Sequence, residues 1–229
     1  MENFSLIIPA AGRGARIGGP VPKPFIEIGG KTILEHTLSR FTGVEGLQQI
    51  IIATSGEWVE RVQAMEERLP EGIPFQVAEG GEERQSSVEN ALSEVLDAVD
   101  LVIVHDAVRP FISLDILTRC LNAAAEYGAA ISGIPVKDTI KRIGDGGYVV
   151  ETPARHELIQ AQTPQAFSKR VLRDAFHHAT LNNFIGTDDA SLVEFAGGGV
   201  KVVRGAEENF KITWPSDLAM ARKLLTDGF

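Results

Sequence analysis

A cluster of small and basic residues follows the first apolar segment of the chain. The cluster runs from Pro9 to Lys23 and contains three cations and no acidic residue. The cations are Arg13, Arg16 and Lys23. Small residues let backbone N–H groups approach an anion closely, and nearby cations neutralise its charge. The stretch therefore predicts a phosphate-binding loop, and the alternative is a surface turn with incidental arginines.

The dinucleotide-binding fingerprint G-x-G-x-x-G is incomplete in this loop. It starts correctly with Gly12 and Gly14, but its third glycine position holds Ile17. The third glycine lets a helix pack closely against its strand, so its loss argues against a dinucleotide site. A dinucleotide-dependent oxidoreductase remains an alternative, and added NAD should then stabilise the protein.

The P-loop fingerprint also fails, although Gly30-Lys31-Thr32 matches its end. Its first glycine would fall at Phe25. We interpret Thr32 instead as the N-cap of a helix, with Glu35 as its capping-box partner three residues later.

Charge and cysteine content exclude several classes of protein. The 229 residues carry a formal net charge of −9 and a single cysteine, Cys120. Nucleic acids and anionic membranes need a basic face, so we expect neither as a partner. One cysteine excludes an intramolecular disulfide framework and a four-cysteine zinc site. With no targeting segment or long apolar run visible, we expect a soluble cytoplasmic protein.

Apolar runs alternate with helical periodicity along the first part of the chain, which is typical of βα units around a mostly parallel sheet. The predicted strands are Ser5–Pro9, Gln49–Ala53, Phe75–Ala78, Leu101–Val104 and Ala130–Ile134. Helix faces recur within 33–41, 58–69, 88–95 and 116–124.

The carboxyl-terminal part adds predicted helices over Ser168–Ala179 and Asp188–Phe195, a strand at Val200–Val203 and a last helix from Pro215. We expect one α/β domain over residues 1–229, with a Rossmann-like sheet flanked by helices. Residues 137–155 have no helical face and carry glycines between β-type residues, which predicts a protruding β-hairpin arm.

Several ordered segments of the chain resemble one known family. The first reads Pro-Ala-Ala-Gly-x-Gly-x-Arg from Pro9 and ends with Pro-Lys at Lys23. It resembles the signature of sugar-phosphate nucleotidyltransferases, and most closely that of the 2-C-methyl-D-erythritol 4-phosphate cytidylyltransferase family. The other matching segments are 80–88, 105–110, 135–141, 163–165 with 187–191, and 209–213.

The resemblance implies transfer of a cytidylyl group from CTP to 2-C-methyl-D-erythritol 4-phosphate in non-mevalonate isoprenoid precursor synthesis, with release of pyrophosphate. In-line displacement at phosphorus depends on positioning and on cationic stabilisation. A phosphate monoester has a second pKa of about 6, so the nucleophile needs no general base. We therefore interpret His105 as structural. Ribitol-5-phosphate cytidylyltransferase and a non-catalytic nucleotide-binding sensor are the alternative functions.

The family pattern also implies roles for individual residues. Arg16 and Lys23 match cations that stabilise the transition state, and Arg155 and Lys211 match cations that hold the acceptor phosphate. Contacts to the nucleotide are expected from Pro9, Ala10, Ala11, Gly12, Gly14, Gly80, Gly81, Ser87 and Ala107. Contacts to the acceptor are expected from Asp106, Arg109, Thr139, Thr163 and Thr187.

Asp106 follows a predicted buried strand, at the edge of the sheet where open α/β proteins bind ligands. One carboxylate together with substrate phosphates is a typical Mg²⁺ site. The resemblance implies this role for Asp106, with Mg²⁺ or another divalent cation. The alternative is a helix-initiating turn with Arg109.

The resemblance further implies a homodimer. In the family the hairpin arm, residues 137–155 here, crosses to the partner subunit, where Thr139 and Arg155 would reach the acceptor site. Two positions depart from the family pattern: Pro24 replaces the usual glutamine after Lys23, and segment 152–158 matches loosely.

Overall fold

The computed structural model describes residues 2–12, 21–69 and 72–226. Its strands, in chain order, are β1 (Phe4–Pro9), β2 (Glu27–Ile28), β3 (Lys31–Thr32), β4 (Leu47–Thr54), β5 (Phe75–Glu79), β6 (Leu101–Val104), β7 (Ala129–Pro135), β8 (Arg142–Ile143), β9 (Val149–Glu151), β10 (Ile159–Ser168) and β11 (Lys201–Arg204). Its helices are α1 (Ile33–Leu38), α2 (Val59–Gln63), α3 (Arg84–Ser93), α4 (Leu114–Tyr127), α5 (Lys169–Leu181), α6 (Asp189–Phe195) and α7 (Pro215–Thr226).

Seven of the strands form one mixed sheet in the order β11-β7-β10-β6-β1-β4-β5. Six of them are parallel to one another, and β10 runs antiparallel to both of its neighbours, β6 and β7. The predicted mostly parallel α/β sheet is confirmed. Its central strands β1 and β6 are buried almost throughout, which explains why they are continuous apolar runs in the sequence.

Strand β1 shows how the sheet separates two apolar cores. Leu6 and Ile8 belong to one core cluster, and Ile7 between them belongs to the cluster on the opposite face. Successive side chains of a strand point to opposite faces, so one buried strand supplies both cores. The carboxyl end of β1 then leads directly into the glycine-containing loop.

Strand β10 has no counterpart among the predicted strands. It contains Gln160, Gln162, Thr163, Pro164 and Gln165, and its pairing with β7 shifts between Ala161 and Gln165. A proline inside a strand removes a ladder hydrogen bond and normally argues against the assignment. The polar composition and the shifted register therefore concealed this strand from sequence reasoning.

The single helix predicted over 58–69 is wrong. The segment forms α2, flanked by one 3₁₀ turn at Gly56–Trp58 and another at Glu66–Arg68. Val62 and Met65 are still buried. Residues three apart share a face in both kinds of helix, so apolar spacing alone does not distinguish them.

The predicted start of α1 is confirmed. The Thr32 side chain accepts a hydrogen bond from the Glu35 backbone N–H at 3.1 Å, and Glu35 Oε2 accepts one from the Thr32 N–H at 2.7 Å. This reciprocal capping box satisfies two backbone donors that the first helical turn leaves without partners.

The predicted hairpin is present as β8 and β9, joined by a turn that contains Gly146 and Gly147 at φ values of 75° and 80°. Glycine adopts positive φ without steric cost, which suits this tight turn. The strands are shorter than the 137–155 segment, and their residues are exposed. No helix among residues 2–12, 21–69 and 72–226 has the length and hydropathy that crossing a bilayer requires.

Candidate functional site

Two adjoining cavities open at the carboxyl ends of β1, β6 and the neighbouring strands. The first cavity, of about 290 Å³, is lined by Pro9, Ala10, Ala11, Gly12, Lys23, Pro24, Gly81, Glu82, Glu83, Arg84, Ser87, Asp106, Ala107, Val108 and Lys211. The second cavity, of about 220 Å³, is lined by Arg84, Asp106, Ala161, Gln162, Thr163, Gln165, Thr187, Asp188 and Lys211. Three charged residues, Arg84, Asp106 and Lys211, line both.

The loops after β1 and β5 are both anchored on the end of β4. The Ala10 N–H donates to the Ala53 carbonyl at 2.7 Å, and the Gly80 N–H donates to the Thr54 carbonyl at 2.8 Å. A side chain at Gly80 would place its Cβ 2.3 Å from the Cβ of Ala11. The two loops therefore meet closely because residue 80 has no side chain.

Ser87 holds the turn that follows β5. Its hydroxyl accepts a hydrogen bond from the Gly81 N–H and donates one to the Glu83 carbonyl, each at 3.0 Å. Ser87 is buried and lines the first cavity. Its hydroxyl thus fixes the Gly80-Gly81 turn against the start of α3.

The structure describes only the two ends of the cationic loop, residues 9–12 and 21–23. Arg13, Gly14 and Arg16 lie outside the described residues, and Lys23 lines the first cavity with 8% of its surface exposed. Pro24 occupies the first turn of the 3₁₀ helix Lys23–Phe25. Proline suits a first helical turn, where the backbone N–H would have no helical partner, so the departure at Pro24 is compatible with this local fold.

Asp106 lies directly beyond β6 and faces three cations. Its Oδ2 is 3.1 Å from Arg109 Nε and 3.1 Å from Lys211 Nζ. Its Oδ1 is 3.7 Å from Arg84 Nε. Burial alone would raise the pKa of Asp106, but Lys211, Arg109 and Arg84 outweigh it and hold that pKa well below its usual value. The carboxylate is therefore ionised at neutral pH.

Arg109 connects Asp106 to the segment that carries Lys211. It is buried, and its Nη1 donates to the Asn209 carbonyl at 2.8 Å. The Asn209 side-chain amide in turn donates to the Thr163 carbonyl at 2.8 Å. Arg109 thus lies beside Asp106 without lining either of these cavities, but it lines a third one, of about 290 Å³, together with Lys211. Its contact with the acceptor stays a prediction.

His105 is wholly buried behind this wall. Burial lowers its pKa to about 4, so the imidazole is neutral near pH 7. Its Nε2 lies 3.1 Å from the Arg109 carbonyl, which can only accept, so Nε2 carries the proton. Its Nδ1 then accepts from the Thr163 hydroxyl at 3.0 Å. These contacts agree with the structural interpretation of His105.

Thr163 and Thr187 line the second cavity with Asp106. The Thr163 hydroxyl also accepts the Asp106 N–H at 3.0 Å, which fixes the backbone at the metal-ligand candidate. Thr139 and Arg155 line neither cavity in this chain, and Arg155 Nη1 donates to the Lys137 carbonyl at 2.9 Å in the exposed arm. Their role in a partner's site stays a prediction.

Sequence reasoning missed the pair formed by Arg84 and Asp189. Arg84 Nη2 lies 2.7 Å from Asp189 Oδ2, and the Asp189 side chain is 1% exposed. Burial raises the pKa of Asp189, and the charge of Arg84 offsets part of this effect. Both residues lie in segments that carry the family resemblance, but an ion pair between distant segments leaves no periodic signal.

A divalent cation would have to share its ligands with a substrate. The described residues contain no group of three or more His, Cys, Asp or Glu side chains placed to hold a metal. Asp106 Oδ2 is engaged by Arg109 and Lys211, whereas Oδ1 has a more distant cation beside it. A carboxylate that lines both cavities and has one oxygen without a close cation fits Mg²⁺ held mainly by phosphate oxygens and water.

Comparison with known proteins places this chain in a family. The family model described as 2-C-methyl-D-erythritol 4-phosphate cytidylyltransferase matches residues 4–227. A protein of that name from Bacillus thuringiensis (strain Al Hakam) is 43% identical over 222 residues, which cover 97% of each chain. Another from Symbiobacterium thermophilum is 43% identical over 223 residues, covering 97% of this chain and 93% of the relative.

Solved structures show the same likeness. The 4-diphosphocytidyl-2C-methyl-D-erythritol synthase from Anaerococcus prevotii has a TM-score of 0.87 and 33% identity, covering 98% of this chain and 96% of its own. The 2-C-methyl-D-erythritol 4-phosphate cytidylyltransferase from Thermus thermophilus has a TM-score of 0.78 and 35% identity, covering 99% of this chain and 100% of its own. The chain therefore belongs to the 2-C-methyl-D-erythritol 4-phosphate cytidylyltransferase family.

Proposed function

We propose that this protein transfers a cytidylyl group from CTP to 2-C-methyl-D-erythritol 4-phosphate and releases pyrophosphate, as the names of its relatives state for those enzymes. The observation that carries the proposal is the junction of two cavities at Arg84, Asp106 and Lys211. A nucleotide in one cavity and a phosphorylated acceptor in the other would bring the two phosphates together at these charged groups.

The first cavity suits the nucleotide. Its walls include the small residues Ala10, Ala11 and Gly12, which let a ligand approach the backbone closely. Lys23 contributes a cation there, and Arg16 belongs to the same loop. Because negative charge accumulates on the phosphoryl oxygens during displacement, these two cations would stabilise the transition state more than the ground state.

The second cavity suits the acceptor. Thr187 offers a hydroxyl group for an acceptor that carries several hydroxyls, and Lys211 offers a cation for its phosphate. The Thr163 hydroxyl already donates to His105 and accepts from the Asp106 N–H, so it has only a lone pair left for the acceptor. Lys211 is held by Asp106 at 3.1 Å, so its ammonium is already positioned beside the junction. The acceptor phosphate needs no deprotonation by the protein, since a monoester is largely dianionic at neutral pH.

Asp106 would bind a divalent cation through its carboxylate, with the remaining ligands from phosphates and water. When bound, such an ion neutralises part of the triphosphate charge and polarises the phosphoryl oxygens. Lys211, Arg109 and Arg84 keep the carboxylate ionised, with its pKa lowered, at the pH at which the ion must be held.

Homodimerisation through the arm and a cytoplasmic location complete the proposal. The arm exposes Ile143, Tyr148, Val149 and Val150, with exposed fractions of 65%, 79%, 56% and 53%. Exposed apolar side chains on both faces of a short hairpin favour an interface with another chain. The partner would then receive Thr139 and Arg155 at its acceptor cavity.

Release of pyrophosphate from CTP tests the function. Purified protein with CTP and Mg²⁺ should release pyrophosphate when 2-C-methyl-D-erythritol 4-phosphate is added, and not when the acceptor is omitted. Turnover with ribitol 5-phosphate alone would establish the alternative acceptor. CTP binding without turnover on either acceptor would favour the non-catalytic sensor.

A further inference from the structure

We propose that Asp189 is a positioning residue of this site and that it acts through Arg84, whose guanidinium contacts phosphate oxygens where the two cavities meet. The inference deepens the proposed function and rests on it. No contact between Asp189 and a substrate is required, because Asp189 lies behind Arg84.

Arg84 stands between two carboxylates. Its Nη2 lies 2.7 Å from Asp189 Oδ2, and its Nε lies 3.7 Å from Asp106 Oδ1. A guanidinium has five N–H donors in a rigid plane, so these contacts leave donors for a ligand. Arg84 lines both cavities and its side chain is 29% exposed, so its remaining donors are accessible from the site.

Asp189 has a single ionic partner in the parts of the chain that the structure describes, and that partner is Arg84. A buried carboxylate without a cation would be strongly unfavourable, so the pair is maintained. Asp189 is enclosed and neither of its carboxylate oxygens has a hydrogen-bond partner among the described residues, so the ionic contact with Arg84 is what holds the guanidinium beside it. The buried charge thus determines where Arg84 stands at the junction.

The element that carries Asp189 is itself held in place. Asp188 caps α6 by accepting the Ser191 N–H at 2.9 Å. Gln165 on β10 donates to Asp188 Oδ2 at 2.7 Å and accepts from the Ala190 N–H at 3.1 Å. The start of α6 is therefore fixed to the sheet, which gives Asp189 a rigid support for Arg84.

Positioning and a purely structural ion pair predict different kinetics. If Asp189 positions Arg84 on the reacting phosphates, Asp189→Asn should lower kcat at saturating CTP and acceptor by about tenfold or more, because small displacements of positioning groups are costly. Loss of a structural ion pair would lower the melting temperature and leave kcat of the folded protein unchanged. Asp115→Asn, which breaks the exposed pair with Arg119 on α4, is the matched control and should retain the parent kcat.

A double-mutant cycle tests whether Asp189 acts through Arg84. Arg84→Met should lower kcat at least as much as Asp189→Asn. The double variant should be no slower than Arg84→Met, since both substitutions remove the same contribution of the Arg84 guanidinium. Additive losses, or an Asp189→Asn enzyme with the parent kcat, would overturn the proposal. If Asp189→Asn does not fold, Arg84→Lys provides the test. Lysine keeps the positive charge but lacks the planar guanidinium, so a kcat equal to that of the parent would contradict the role of Arg84 and with it that of Asp189.

The inference and the proposed function fail differently. If the parent protein does not release pyrophosphate from CTP with either acceptor, the function is wrong. If the parent turns over and the Asp189→Asn and Arg84→Lys variants match its kcat, the function stands and the positioning role is wrong.

Discussion

The Cα of Gly80 faces Ala11 so closely that a Cβ at residue 80 would lie 2.3 Å from the Ala11 Cβ. Real carbon atoms do not approach to this distance without displacement. The loop after β1 and the turn after β5 are therefore in contact only because residue 80 is glycine. Both loops are anchored on the end of β4, so neither can retreat without losing a backbone hydrogen bond.

Gly80→Ala should weaken CTP binding. Overpacking a close contact costs about 1–3 kcal/mol, which corresponds to about 5- to 150-fold in affinity if the loop must move to relieve it. Calorimetric titration with CTP measures the effect. Gly56→Ala is the control, because a Cβ there meets nothing within 4 Å and the φ angle is not positive. Equal CTP affinity in both variants would contradict the assigned place of the two loops.

Lys23→Ala should separate binding from chemistry. Removal of one preorganised contact to the transition state lowers turnover by at least about 100-fold, whereas CTP, held also by backbone contacts, should still bind. Steady-state rates and a CTP titration on the same sample measure the two effects. Lys31→Ala removes an exposed lysine from β3 and serves as the control. A Lys23→Ala enzyme with the parent rate would show that Lys23 is misassigned.

His105 should make stability depend on pH in a defined window. The unfolded imidazole binds a proton below a pH of about 6.5, whereas the folded one, with its pKa lowered to about 4, does not. The free energy of unfolding should therefore fall as the pH decreases from about 6.5 to 4, by up to about 3 kcal/mol.

Asp106 and Asp189 affect the pH dependence of the free energy of unfolding differently from His105. The pKa of Asp106 is lowered in the folded protein, so its contribution to the free energy of unfolding is lost only at a more acidic pH than that of His105. The pKa of Asp189 is raised, so its contribution has the opposite sign to that of His105. Denaturant unfolding of the parent and of His105→Gln from pH 4 to 7 isolates His105. Identical slopes in the two proteins would contradict the buried neutral imidazole.

The arm should control both assembly and activity. A double variant, Ile143→Asp with Tyr148→Asp, places charges on its exposed apolar side chains and should convert a dimer to a monomer in sizing measurements. Turnover should fall when the dimer is lost, since Thr139 and Arg155 would no longer reach a partner. Ile185→Asp charges another exposed apolar side chain, with 69% exposure, and should leave both unchanged. A fully active monomer would remove Thr139 and Arg155 from the acceptor site.

Much of the fold could be predicted because burial and periodicity leave direct traces. The five strands from β1 to β7 that join the main sheet are continuous apolar runs, and α1 begins at its Thr32 and Glu35 capping box. Strand β10 could not be predicted, since its buried Gln162 and Gln165 side chains find hydrogen-bond partners only at residues distant in sequence.

The site was predictable to the extent that its chemistry depends on short motifs. The loop ending at Lys23 and the strand end at Asp106 both carry local signals. The pairing of Arg84 with Asp189 does not, because it exists only once α3 and α6 meet across the sheet edge. The places of Thr139 and Arg155 depend on a second chain, which no local pattern describes.

A competition between two acceptors shows directly which of them this protein uses. The protein is incubated with CTP, Mg²⁺ and equal concentrations of 2-C-methyl-D-erythritol 4-phosphate and ribitol 5-phosphate, and the products are resolved by mass spectrometry and ³¹P NMR. We expect a cytidine diphosphate ester of methylerythritol as the main product, formed together with pyrophosphate. A product formed mainly from ribitol 5-phosphate, or no diphosphate ester at all, would contradict the proposed function.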